Sequence, residues 1–286
     1  MRRFLIIATG LALLATASAA GAADPCRQRL GERHTAVKAI DASTALLDDG
    51  TEVRLAGILA PEPPVAEAAG EPLTSWPFLK DAKAALTTLI AGKTIALPTG
   101  PRKLDRYGRL RSDLLIADGK TANSVAVALV GAGMARVFPL NDDRVCTSLL
   151  LEAETLARSQ KLGLWRAEAY SVRSPAKPKE LSRYQDQFVI VEGTVTEVSE
   201  TGGRVFINFG PRWRQDFTAV VEKRNRKRFQ QAGIELTALN GARVRVRGYL
   251  GYAYGPALGL EIPALLEIIT PAPEKPAAEA ALDPGR

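Results

Sequence analysis

Hydrophobic and polar positions change rhythm several times along this chain, and each rhythm predicts an element. Over 34–58 short alternating runs predict strands at 35–40, 45–47 and 52–58, with Asp48-Asp49-Gly50 supplying a turn between the last two. A Pro/Ala/Glu stretch at 61–72 reads as a loop. Apolar residues at 78, 79, 82, 85, 86, 89 and 90 have helical spacing and predict a helix over 78–91, stopped by Gly92. Strands are expected at 93–97 and 110–117 around a loop at 98–107. Helices are expected at 121–130 and 148–161, each followed by a glycine-containing turn. Beyond residue 180 the pattern becomes mostly β, with strands at 188–198, 204–209, 216–221, 243–249 and 258–269 and one short helix at 226–231. Strands at near ten-residue spacing predict a small OB-type barrel there. The fold class expected is α+β, mainly β.

The chain's 286 residues favour two domains. Residues 1–23 read as a signal peptide: Arg2 and Arg3 precede an apolar run, and Ala20-Gly21-Ala22 offers a small-residue cleavage site. The apolar run is too short for a membrane span of about 20 residues. The exported chain then divides into 24–170, a basic, proline-containing linker at 171–180, a second domain at 181–270 and a disordered Pro/Ala/Glu tail at 271–286. Export, to the periplasm or beyond, places the two cysteines in an oxidising space, where Cys26 and Cys146 are expected to pair.

With one histidine and two cysteines, a four-ligand Cys/His zinc site is excluded. The lone His34 lacks an accompanying Ser or Cys nucleophile motif and reads as structural. Ala91-Gly92-Lys93-Thr94 imitates the end of a phosphate-binding loop, but Thr87 stands where the earlier glycine is needed. The formal charge of +7 permits an anionic partner without demanding one, and its excess lies mainly in the linker and second domain. One constellation suits phosphodiesters. Arg54 and Arg109 supply planar, permanently charged forks for phosphate oxygens, and Glu62 can orient or deprotonate water. Fixed charge aimed at the developing negative charge is the main requirement of such hydrolysis.

In order along 34–165 come the strand-turn 39–44, VRLAGILAPE at 53–62, DRYGR at 105–109, GMARV at 133–137 and EAETLARSQKLGLW at 152–165. Together they resemble the staphylococcal-nuclease-like (thermonuclease) family. That resemblance implies a five-stranded OB-type barrel with three helices that hydrolyses DNA or RNA with calcium. It implies Arg54 and Arg109 gripping phosphate, Glu62 acting on the attacking water, and Arg106 and Tyr107 beside the substrate. Two departures stand out. The family's opening Asp-Gly-Asp-Thr has Ser43 in place of its second Asp, and Leu59 stands where another metal-ligating Asp is usual. Asp41 and Glu62 remain, few oxygens for a hard cation. If only the cage was lost, restoring acids at 43 and 59 should raise metal-dependent cleavage. The alternative to a nuclease is a non-catalytic nucleic-acid or polyanion binder in the cell envelope.

The second domain resembles OB-type nucleic-acid-binding modules through its segments 192–198, 204–210 and 213–218. Such barrels stack bases on aromatics over a basic groove, which nominates Phe206, Phe209, Trp213, Tyr249, Tyr252 and Tyr254. Lys223 and Arg224 open a run of five positive charges in six residues. Arg243, Arg245 and Arg247 share one face of a strand and read as a polyanion-facing ladder.

Overall fold

The computed structural model describes residues 30–61, 77–118, 121–140, 146–212 and 214–273. The leader, Cys26, Glu62, Trp213 and the tail beyond residue 273 lie outside the described residues. Among the described residues no helix is long and apolar enough to cross a membrane.

The first barrel begins with a meander of β1 (Leu30–Ala39), β2 (Thr44–Leu47) and β3 (Glu52–Leu55), all antiparallel. Helix α1 (Leu79–Ile90) buries Ala82, Leu86 and Ile90, residues four apart on one helical face. Strand β5 (Thr94–Pro98) returns along β1, and the last barrel strand follows in two pieces, β6 (Leu110–Ser112) and β7 (Leu115–Asp118). β6 pairs parallel with β3 and β7 antiparallel with β5, which closes the ring. The expected strand at 110–117 is therefore interrupted at Asp113.

Two further expectations need revising. The strand at 52–58 stops at Leu55, and a turn at Ala56-Gly57 releases β4 (Ile58–Leu59) to pair with β9 (Arg136–Val137). The helix at 121–130 begins instead with a strand, β8 (Thr121–Ser124), held against β7. Only then does α2 (Val125–Gly131) start, with the Ser124 side chain accepting the Val127 N–H as its cap. Helix α3 (Thr147–Ser159) follows and packs on α2. After α2 and α3 the chain passes Gly133 and Gly163, both at positive φ and in direct backbone contact. A Cβ on Gly133 would lie 2.3 Å from the Leu162 carbonyl oxygen, and one on Gly163 would lie 2.2 Å from that of Gly133. No larger residue fits either position.

The second domain repeats the circuit. Its first strand is bent into β10 (Phe188–Thr194) and β11 (Glu197–Thr201), followed by β12 (Arg204–Asn208) and β13 (Thr218–Val221). The short helix α5 (Arg226–Gln231), the expected one, leads to β14 (Arg243–Ala253) and β15 (Gly255–Gly259). β13 pairs parallel with β15, as β3 does with β6, and β16 (Leu266–Thr270) adds to β14. The architecture is thus mainly β, with two OB-type barrels in sequence.

The segment expected to be a loose linker is docked. Arg173 exchanges backbone hydrogen bonds with Ile190 and Glu192, and Leu181 of α4 (Pro178–Leu181) is buried in the second core. Below it the barrels share a hydrophobic cluster of Leu59, Ala157, Leu164, Trp165, Tyr170, Phe188 and Ile190. Arg136 donates to the Phe188 carbonyl at 3.0 Å and lies over the Phe188 and Tyr170 rings. Phe138, Phe188 and Tyr249 form an edge-to-face triad with centroids 5.0–5.8 Å apart.

Two members of the arginine ladder on β14, Arg245 and Arg247, are buried here, which corrects their reading as a nucleic-acid surface, while Arg243 stays exposed. Arg247 is wholly buried. Its NH1 reaches Glu154 of α3 at 2.9 Å and the Val137 carbonyl at 3.0 Å, and its NH2 pairs with Glu267. Arg245 is held by Glu192 at 2.6 Å and Glu267 at 3.2 Å, and Arg243 by Glu192 at 2.8 Å. Burial opposes the charge on Arg247, but Glu154 and Glu267 outweigh it and hold the group protonated. Burial likewise opposes the Glu192 charge, and its two arginines keep its carboxyl below the ordinary range. The register pairs Glu192 with Arg245 and Ile190 with Arg247, so the outer face of β10 and β14 is covered at these rungs and open to solvent at Arg243.

Two outcomes follow. Removing one member of a buried pair strands the other, so Glu154→Ala should cost about 3–5 kcal/mol in urea unfolding, whereas Arg243→Ala at the exposed end should cost under about 1 kcal/mol. Equal small losses would contradict the assignment. Asp113, fully buried, is pushed up from 3.8 to about 6, chiefly by burial and against hydrogen bonds from Ser124 and the Ala126 and Leu114 amides. Its contribution to stability is full below pH 3.8 and is lost as pH rises through 6, by at most about 3 kcal/mol. Asp113→Asn should remove that part of the pH dependence between pH 4 and 8, and an unchanged difference across that range would refute it.

Candidate phosphate-binding site

The site grows from the edge where β2, β3 and β6 run side by side. In the ladder Thr44 pairs with Arg54, and Arg54 with Arg111. Parallel partners in register share a face, so Arg54 and Arg111 project from the same side of the sheet. Arg109 lies two residues before Arg111, on the same side by alternation. Arg111 was not singled out from the sequence. The signal that could have found it is the Arg-Leu-Arg alternation at 109–111, with buried Leu110 turned into the core.

Arg54 and Arg109 each have their own carboxylate. Asp41, in the turn between β1 and β2, has Oδ2 3.8 Å from Arg54 NH1. Its Oδ1 accepts the Ser43 backbone N–H at 2.7 Å and the Ser43 hydroxyl at 3.1 Å. Burial raises the Asp41 pKa, but these donors, Thr44 and Arg54 together leave it lowered. Asp105 organises the other arm. Its Oδ1 accepts the Tyr107 and Arg109 backbone N–H groups, and its Oδ2 accepts Arg109 Nε at 2.7 Å. Again burial works against ionisation, and Arg109 with the two amides keeps Asp105 low. The guanidinium groups of Arg106 and Arg109 both lie over the Tyr107 ring, at 4.8 and 5.1 Å, and Arg106 donates to the Tyr107 hydroxyl. The Asp-Arg-Tyr-Gly-Arg spacing is therefore that of an Asx turn whose acid holds the second arginine.

The positions where metal-ligating acids were expected read differently. Ser43 is buried, and its amide and hydroxyl are both spent on Asp41. Leu59 belongs to the interdomain cluster while its neighbour Ile58 enters the first core, as alternation on β4 requires. Asp41, expected as a weak metal ligand, serves as the acceptor of Ser43 and the counter-ion of Arg54. Ser43 and Leu59 thus offer a hard divalent cation no carboxylate, and Asp41 is the one acid left among the three. Elsewhere, among the described residues, His34, Asp48 and Asp49 bring ligand atoms within 4.8 Å of one another. There both carboxylates already cap the 48–51 hairpin through Thr35 and Thr51.

The remaining expected residues are not gathered here. Lys223 and Arg224 form an exposed turn on the second barrel, Arg245 is buried against Glu192, and Arg243 is exposed and paired with the same Glu192. Glu62 and Trp213 lie outside the described residues. Phe209 is core and Phe206 is half-buried under Arg204, while Tyr252 and Tyr254 are exposed. Cys146, just before α3, is disulfide-bonded. Its expected partner, Cys26, is outside the described residues.

The OB-type barrel thus presents two arginines, Arg54 and Arg109, each oriented by an acid. Comparison with family models makes the likeness specific: residues 52–167 match the model described as staphylococcal nuclease homologue. The match begins at β3, so the Asp41–Ser43 turn precedes it. No curated protein matches the chain. The family is one of calcium-dependent nucleases and nucleic-acid-binding domains.

Acids placed at 43 and 59 should not rebuild a cage. Leu59→Asp would bury a carboxylate among Trp165 and Phe188, so Ser43→Asp with Leu59→Asp should lose at least about 3 kcal/mol of stability. Calorimetric titration should show no calcium binding gained. Calcium binding by a folded, undiminished double variant would overturn this account of position 59.

Proposed function

We propose that this is an exported nucleic-acid-binding protein, built on a nuclease-type barrel, that grips phosphodiesters without a resident calcium ion. The observation that carries the reading is the pairing of intact, acid-ordered arginines with an apolar, packed residue at position 59. Arg54 and Arg109 supply charge-assisted donors to phosphate oxygens, and Asp41 and Asp105 hold them in place beforehand. The exposed Tyr107 and Arg106 flank the strand. Lys223 and Arg224, exposed on the second barrel, offer a separate cationic contact for a polyanion. The bonded state of Cys146 and the signal-like leader support a site of action in an oxidising compartment.

A second reading is hydrolysis of the gripped phosphodiester, with Glu62 acting on water. The retention of both arginines in ordered geometry favours it. One experiment separates the two. The purified mature chain is offered single-stranded DNA, duplex DNA and RNA with chelator or with calcium, and both cleavage and anisotropy are followed. Binding should persist in chelator, fall steeply with salt and leave the substrates intact. Arg54→Ala and Arg109→Ala should each weaken it about 10- to 100-fold, the worth of a charge-assisted hydrogen bond. Calcium-dependent cleavage that Glu62→Gln abolishes would establish the second reading. Absence of any binding by folded protein would reject both.

A further inference from the structure

The segment before the Asp105 turn folds back on β6. Leu104 and Leu110 form an antiparallel bridge. It is closed by the Asp105 N–H donating to the Arg109 carbonyl at 2.9 Å and the Arg111 N–H donating to the Lys103 carbonyl at 2.7 Å. Residues opposite each other across such a bridge share a face. The bridge therefore sets Asp105 against Arg109 and Lys103 against Arg111. The first pair is the ion pair at 2.7 Å, which fixes the face. The second is a pair of like charges. On its other side Arg111 pairs with Arg54 of β3. A row of Arg54, Arg111 and Lys103 thus crosses the sheet, each member beside another cation. Like charges directly opposite on one face destabilise a sheet. A local rule broken twice in one row is the mark of a place shaped for a ligand rather than for stability.

We propose that Arg111 and Lys103 form a second phosphate subsite, taking the phosphate next along a strand whose first phosphate lies on Arg54 and Arg109. The proposal rests on the phosphate-gripping reading and adds the class of ligand: a chain of consecutive phosphodiesters, not a nucleotide with a single phosphate. Charge is the first argument. Arg54 and Arg109 are matched by Asp41 and Asp105, so the grip is close to neutral, and Arg111 and Lys103 add positive charge on the same face. Access is the second. Lys103 is exposed and Arg111 half-buried, so the row opens to solvent at its Lys103 end. Spacing is the third. Two residues of extended chain set Arg109 and Arg111 about 6.6 Å apart. That leaves room for a sugar between neighbouring phosphates. Inorganic polyphosphate joins its phosphates through a single oxygen and is too closely spaced to match both subsites.

The full mature chain is titrated in chelator with a trinucleotide that has hydroxyl ends and two phosphodiesters. It is also titrated with the two forms in which one linkage is an uncharged methylphosphonate. The wild type should bind the fully charged strand at least about tenfold more tightly than either neutralised form, the worth of a charge-assisted contact. Arg111→Gln should shrink that advantage to about threefold or less while binding the neutralised forms within about threefold of wild type. Its slope of log affinity against log salt should flatten by about 0.7, one phosphate contact on a single strand. Should Arg111→Gln not fold, Lys103→Gln, at an exposed position, gives the same reading. Inorganic tripolyphosphate should bind wild type and variant alike, and an equal loss of its binding in the variant overturns the assignment to a sugar-spaced strand. Equal wild-type affinity for charged and neutralised strands, or an advantage untouched by the folded variant, overturns the second subsite and leaves the phosphate grip standing. Failure to bind any of the strands overturns the grip and the subsite with it.

Discussion

Arg247 carries a permanent charge into the least hydrated part of the molecule, and much of the arrangement follows from satisfying it. A guanidinium without solvent needs carboxylates and carbonyls close by. Here Glu267 comes from its own barrel, but Glu154 and the Val137 carbonyl come from the other. Parting the barrels would leave Arg247 with one carboxylate and Glu154 with none of its guanidinium. The surrounding aromatic triad and the Leu59–Trp165–Phe188 cluster make the same junction favourable through apolar burial. The charged residues add little net energy of their own in this view. They set which faces meet and in what register.

That junction reaches the candidate site through β4 and β9. Four residues separate Arg54 from Leu59, and in that interval the chain passes from the arginine row to the interdomain cluster. A side chain at 59 cannot ligate a cation and pack against Trp165 and Phe188 at once. The acid expected there and the second domain's docking are alternatives, and this chain has the docking. The arginines are unaffected because their orienting acids, Asp41 and Asp105, are local: each sits in a turn within thirteen residues of the guanidinium it holds.

The two barrels follow one circuit and differ in where a strand bends. In the second barrel the bend falls in the first strand, between β10 and β11, where Val195 is buried in the core. In the first it falls in the last strand at Asp113, whose buried carboxylate anchors the start of α2. The cost of that burial is seen in its raised pKa, and the gap it opens lies beside the arginine row.

Local periodicity determined most of the strands and helices and the second barrel, because these depend on neighbours a few residues apart; the first barrel and the Arg54, Asp105 and Arg109 motifs were legible through their family resemblance. The sequence also exposed the two missing acids, since each is a single position within a recognisable motif. What it could not carry was the use of residues whose partners are far along the chain. Arg245 and Arg247 alternate on a strand in the same way whether they face a polyanion or Glu192, Glu154 and Glu267. Arg111 becomes the neighbour of Arg54 only through a parallel pairing across 57 residues. The segment 171–180 has a linker's composition, yet Arg173 within it finds partners in the second barrel. In each case side-chain type was written locally, and the choice between solvent and a partner was made by tertiary packing, where the desolvation of a charge or an apolar face decides.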